Sequence, residues 1–127
     1  MRANKLLLDT HVFLWWRMND PLLREDARSA ITDADIVFVS AASAWEAAIK
    51  ASLGRLKLPA TVESGVEESG FEKLPITFSH AEGAAALPFH HHDPFDRMLI
   101  AQAVAENLTL VTHDRKLEAY AVPILWA

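Results

Sequence analysis

The chain of 127 residues contains no cysteine, and that absence excludes disulfide staples, thiolate chemistry and cysteine-ligated zinc. It fits a reducing compartment, and the protein is expected to be cytoplasmic. Long hydrophobic runs are also missing: none approaches the ~18 apolar residues of a membrane span, and the apolar N-terminal stretch soon meets Asp9 and His11, unlike a signal peptide. A basic surplus is absent too. The formal net charge of −5 argues against a generic nucleic-acid binder, although acidic residues that work with a bound cation would contribute to that balance. There is no linker, internal repeat or low-complexity tract apart from His90-His91-His92.

What is present is apolar sequence in short blocks. With 51% hydrophobic residues, a single domain spanning 1–127 is long enough to bury about two-thirds of its unfolded surface without staples. Short apolar runs at Lys5 to Leu8, Ile36 to Val39 and Leu108 to Val111 read as buried strands, with weaker extended segments at Leu74 to Ile76 and Pro123 to Leu125. Helices are expected through Trp15-Trp16, over Leu22 to Thr32, from Ala44 to Leu53 capped by Ser43, and from Pro59 to about Ser69. Further helices are expected over Ser79 to Ala86, Pro94 to Asn107 and Arg115 to Tyr120, with a loop at Pro88 to Asp93. Buried strands alternating with helices predict an α/β fold whose parallel sheet is covered on both faces.

Four carboxylates acquire meaning from that order. Asp9 ends the first strand and Asp114 closely follows the run at Leu108 to Val111, whereas Glu46 and Asp96 open helices. Each of the latter two begins an apolar stripe, through Ile49 and Leu53 in one case and through Leu99, Ile100, Ala103 and Val104 in the other. In a parallel sheet the helix after a strand starts near that strand's carboxyl end, so all four acids are placed at one edge. Carboxylates are hard oxygen donors suited to Mg²⁺ or Mn²⁺. Crowded together they repel one another unless a cation is bound. The implied chemistry is metal-dependent phosphodiester hydrolysis.

Each acid also has a local structural explanation. Ser43-Ala44-Trp45-Glu46 has the spacing of a capping box, and Asp93-Pro94-Phe95-Asp96 has a cap, a proline at the first helical position and an acid favourable to the helix dipole. Asp9 and Asp114 suit turns or caps. Capping does not explain why all four positions fall at one sheet edge.

The stretch Leu6-Leu7-Leu8-Asp9-Thr10-His11-Val12-Phe13-Leu14-Trp15-Trp16 resembles the opening of PIN-domain ribonucleases, in particular the VapC toxins of bacterial toxin–antitoxin pairs. Ser40 to Leu58 with Trp45-Glu46, His92-Asp93-Pro94-Phe95-Asp96-Arg97-Met98-Leu99-Ile100-Ala101, and Leu110-Val111-Thr112-His113-Asp114 agree, in the family's order and over nearly the whole chain. The resemblance implies a three-layer α/β/α fold with a central parallel sheet, Mg²⁺- or Mn²⁺-dependent endoribonuclease activity, inhibition by a VapB-type antitoxin, and a homodimer. By position, Asp9 and Asp96 would be the principal metal ligands, with Glu46 and Asp114 completing the site directly or through water. Thr10, Ser43 and Thr112 would hold carboxylates or water. Asp93 competes with Asp96 for the ligand role, but the helical stripe favours Asp96 and leaves Asp93 as the cap.

Lys50, Arg97, Arg115 and Lys116 are candidates for contacts to RNA phosphates, as are Arg55 and Lys57, and ordinary solvated surface explains them equally well. Three adjacent histidines in a loop cannot all face one ion, so His90, His91 and His92 are expected near the substrate or at the surface. His11 and His113 neighbour proposed ligands and can contact RNA. Phe13, Trp15 and Trp16 suit core or dimer contacts. Two other functions fit some of these features: a divalent-metal phosphohydrolase on small phosphate esters, which lacks the second Asp of the haloacid-dehalogenase signature because His11 stands there, and a catalytically idle PIN-like binding module, which four intact acids speak against.

Overall fold

A computed structural model describes residues 4–127. Its five strands are β1 (Lys5–Leu8), β2 (Ile36–Ser40), β3 (Glu72–Leu74), β4 (Thr109–Thr112) and β5 (Ile124–Trp126). They form one sheet in the order β3-β2-β1-β4-β5, and every neighbouring pair is parallel. Six helices connect them: α1 (Thr10–Arg17), α2 (Glu25–Asp33), α3 (Ala41–Ser52), α4 (Val62–Glu68), α5 (Phe78–Ala86) and α6 (Pro94–Glu106), with a 3₁₀ turn at Arg115–Ala119 before β5. This is the expected α/β/α arrangement with a central parallel sheet.

Alternation along β1 divides the interior in two. Leu6 and Leu8 pack with Val12, Phe13, Ala27 and Val66 on one face, while Leu7 packs with Leu99, Ile100 and Leu110 on the other. Leu7 and Leu8 are fully buried, as the central strand of a parallel sheet requires. No helix among the described residues is long and apolar enough to cross a membrane.

Several expected boundaries move, each for a local reason. Helix α2 begins at Glu25 rather than Leu22, because Asp20 draws the preceding residues into a turn by accepting from the Leu22 N–H at 2.9 Å. Ser40, not Ser43, caps α3, accepting from the Ala42 N–H at 2.9 Å. The capping box assigned to Ser43 and Glu46 is therefore not formed, and Glu46 sits more than one turn inside the helix. Thr61 caps α4, so Pro59 lies in the loop before it. Strand β3 pairs Glu72 to Leu74 with Phe38 to Ser40, and Pro75, which has no N–H to donate, closes the ladder before Ile76. The expected stripes are shorter than drawn, since Leu53 and Val104 are more than half exposed.

Candidate metal-binding acidic site

Asp9 leaves the carboxyl end of β1 and caps α1: its Oδ1 accepts from the Val12 N–H at 2.8 Å. Its Oδ2 accepts from Thr112 Oγ1 at 2.6 Å, a bond that ties the ends of β1 and β4 across 103 residues of sequence. The carboxylate is buried, and desolvation pushes its pKa up against the pull of the hydrogen bonds from Thr112 and Val12. A buried acid so held has its geometry fixed before any ligand arrives.

Glu46 reaches the same place from α3. Its Oε1 is 2.7 Å from Thr10 Oγ1, which is also 2.9 Å from Ser43 Oγ. A hydroxyl has one O–H, so Thr10 donates it to the carboxylate and accepts a hydrogen bond from the Ser43 hydroxyl. The second carboxylate oxygen, Oε2, accepts from Lys50 Nζ at 2.9 Å. Thr10, Ser43 and Thr112, marked in the sequence as hydroxyls that hold carboxylates, are all buried and lie in this network.

The other two acids are less enclosed. Asp96 lies in the first turn of α6, where Asp93 is the cap, its Oδ1 accepting from the N–H groups of Phe95 at 2.8 Å and Asp96 at 3.3 Å. Burial, reinforced by the negative charges of Asp93 and Asp9, raises the Asp96 pKa to about 6 in spite of a hydrogen bond from His91. Asp114 follows β4, its N–H donating to Thr112 Oγ1 at 3.1 Å and its Oδ1 accepting from the Lys116 N–H at 3.0 Å. Thr112 thereby positions two of the four acids.

All four carboxylates line one cleft of about 350 Å³. Lys50 and Arg115 also border it, the Arg115 guanidinium resting 4.1 Å from the centre of the Trp126 ring. Lys116 is exposed beside Asp114. The exposed rings of His11 and His113 lie 5.7 Å apart at the rim, with Trp15 against His113 at 4.7 Å. Phe13 is a core residue, and Trp15 and Trp16 are partly buried against the same core.

Arg97 does not face the cleft as an RNA contact. It is buried, and its two terminal guanidinium nitrogens donate to the carbonyls of Ala84, Leu87 and Pro88 at 2.9, 3.0 and 2.9 Å, which commits them to the protein interior. Sequence reasoning also underrated His91. Its Nε2 is 2.9 Å from Asp96 Oδ2 and 3.8 Å from Asp114 Oδ2, whereas His90 and His92 are exposed. The only available signal was the spacing of His91, five residues before Asp96 in a loop leading to the helix start.

A parallel sheet of order 3-2-1-4-5 with four acids at its carboxyl edge defines the class, and the chain belongs to the PIN-domain family, whose model matches residues 6–123. Among individual proteins it is similar to ribonuclease VapC22 of Mycobacterium tuberculosis, 36% identical over 121 residues and covering 93% of each chain. Its fold matches the crystal structure of VapBC2 from Rickettsia felis bound to a promoter DNA fragment, with a TM-score of 0.72 at 15% identity over 96% of this chain and 98% of the other. It also matches a toxin–antitoxin complex from Klebsiella pneumoniae, with a TM-score of 0.67 at 19% identity over 94% and 95% of the two chains.

Proposed function

We propose that this protein is a VapC-type endoribonuclease toxin that hydrolyses RNA phosphodiester bonds at the four-carboxylate site with Mg²⁺ or Mn²⁺. The observation that carries the reading is the convergence of Asp9, Glu46, Asp96 and Asp114 on one cleft. Membership of the PIN-domain family and the likeness to ribonuclease VapC22 support the substrate class.

The donor set fits a hard divalent cation. Its acids are held by hydroxyls and backbone N–H groups, and burial raises the pKa of both Asp9 and Asp96, a cost of ionisation that a bound cation would offset. Asp9 and Asp96 would hold the ion, with Asp114 beside them. Glu46, whose Oε2 is already paired with the Lys50 ammonium, would act through water. A divalent ion in such a site supplies Lewis-acid polarisation of the phosphodiester and a more acidic attacking water. The chain's own part is to fix the carboxylates and to present Lys50, Arg115 and Lys116 to phosphate oxygens.

A VapB-type antitoxin and a homodimer belong to the same reading. Their physical support is the apolar surface that the fold leaves in water: Phe78 is 90% exposed, Phe89 75% and Trp45 63%, the last in edge contact with Phe95 at 5.2 Å. A cytoplasmic setting agrees with the absence of cysteine. The deciding experiment incubates the purified chain, freed of any partner, with cellular RNA and Mg²⁺ or Mn²⁺, beside a chelator control and an Asp9→Asn variant. Cleavage that survives chelation or the substitution overturns the proposal. Light scattering of the same preparation checks the dimer.

A further inference from the structure

The loop between α5 and α6 brings an imidazole into the acidic cleft, and nothing in a carboxylate site for a hard cation calls for nitrogen. One donor atom from each of His91, Asp93 and Asp96 lies within 4.8 Å of the others. Asp93 is free to contribute: its Oδ1 serves the helix start, while its Oδ2 has no hydrogen-bond partner among the described residues. His91 is held there by the backbone on either side of its ring. Its N–H donates to Tyr120 Oη at 3.0 Å, and its carbonyl lies 3.4 Å from the buried Arg97 Nη1. Arg97 and Tyr120 also share the Pro88 carbonyl, both at 2.9 Å, so the loop is fixed to the protein interior at several points. Such fastening orders the side chain in advance, and a bound ion would take the place of the Nε2 proton that His91 donates to Asp96 Oδ2 at 2.9 Å.

We propose that His91, together with Asp93 and Asp96, completes a mixed nitrogen and oxygen site that makes this cleft take Mn²⁺ in preference to Mg²⁺. The inference rests on the metal-dependent reading above and adds a ligand to it. Imidazole is a ligand for first-row transition ions, Mn²⁺ being the weakest binder among them, whereas Mg²⁺ favours oxygen donors and retains its waters. A single nitrogen among the carboxylates therefore shifts selectivity without changing the charge that attracts the cation.

The test titrates Mn²⁺ alone, and then Mn²⁺ against Mg²⁺, into the full chain and follows binding by electron paramagnetic resonance, with pulsed measurements to detect nitrogen coupled to the bound ion. Wild-type protein is expected to show that coupling. The ratio of Mn²⁺ to Mg²⁺ affinity is expected to fall about tenfold or more in His91→Asn, the low end of what losing even an outer partner of a ligand costs. His91→Asp, which exchanges nitrogen for oxygen, is expected to keep cation binding and lose the Mn²⁺ preference. The coupling in wild-type protein is read without any substitution, so it stands even if a variant folds poorly. Bound Mn²⁺ that depends on Asp9 but shows no nitrogen coupling, with an unchanged ratio in both variants, overturns the role of His91 and leaves the carboxylate site intact. No binding of either ion to the wild-type chain overturns both.

Discussion

The two halves of the acidic cleft are built on different terms. On one side, Asp9 and Glu46 are buried and accept hydrogen bonds from Thr112, Thr10, Lys50 and the backbone of Val12. On the other, Asp96 and Asp114 keep 22% and 32% of their side-chain surface in water and share a single imidazole. The first half is rigid and its charge is costly to bury. The second is reached by solvent and depends on a loop. The difference teaches that fixed geometry and access to solvent have been assigned to opposite walls of one cleft.

The largest effect should come from the rigid wall. Asp9→Asn retains a good helix cap and the shape of the side chain while removing the charge, so activity is expected to fall by roughly 10³-fold, a loss of several kcal/mol of transition-state stabilisation, with an unchanged or raised melting temperature in chelator. A parallel collapse of stability would show that Asp9 is structural. Next comes the pH response of the solvent-facing wall. The pKa of Asp96 in the folded protein, about 6, is above the ordinary 3.8, so the folded state binds the proton more tightly than the unfolded one. Its contribution is therefore greatest at low pH and is lost as pH rises from about 4 through 6. The loss is at most about 3 kcal/mol, less solvent screening of a partly exposed carboxyl. Melting curves in chelator at pH 4.5 and 7.5 should converge when Asp96→Asn is compared with wild type at the lower pH and separate at the higher, with the variant more stable; identical pH profiles would break the contrast.

Two smaller effects sharpen it. Thr10→Val keeps the shape of the side chain but deprives Glu46 of its buried donor and Ser43 of its partner, at about 1–3 kcal/mol of stability by thermal melting and a roughly tenfold loss of activity. Lys116→Ala, at an exposed position, should weaken RNA binding only about twofold, in keeping with about 0.5 kcal/mol for a solvated charge contact, and the difference should vanish at high salt. A tenfold effect there would move the substrate path to that rim.

The rigid wall was readable in the sequence because its parts obey local rules: an apolar run that ends in an acid, and hydroxyl residues beside it. Patterning placed Asp9 and Asp114 at strand ends, and topology placed the helices of Glu46 and Asp96 at the same edge. What local rules could not choose was which of two serines caps α3. Ser40 takes that position because it also ends β2, pairing with Leu74, while Ser43 turns inward to Thr10. The solvent-facing wall was harder to read. An arginine beside a proposed ligand suggests a phosphate contact, and only the assembled loop reveals that the Arg97 guanidinium is occupied by carbonyls up to thirteen residues away. His91 was hidden among three identical neighbours, of which the loop path selects one.

The hydrogen bond from Thr112 to Asp9 spans almost the whole length of the chain. Synthesis must therefore run 103 residues past Asp9 before β4 can dock beside β1 and Thr112 can hold that carboxylate. If the chain is a nuclease that harms its own host, that order has a protective side. Unfinished polypeptides carry Asp9 without its anchor, so interrupted synthesis yields fragments with no assembled cutting centre.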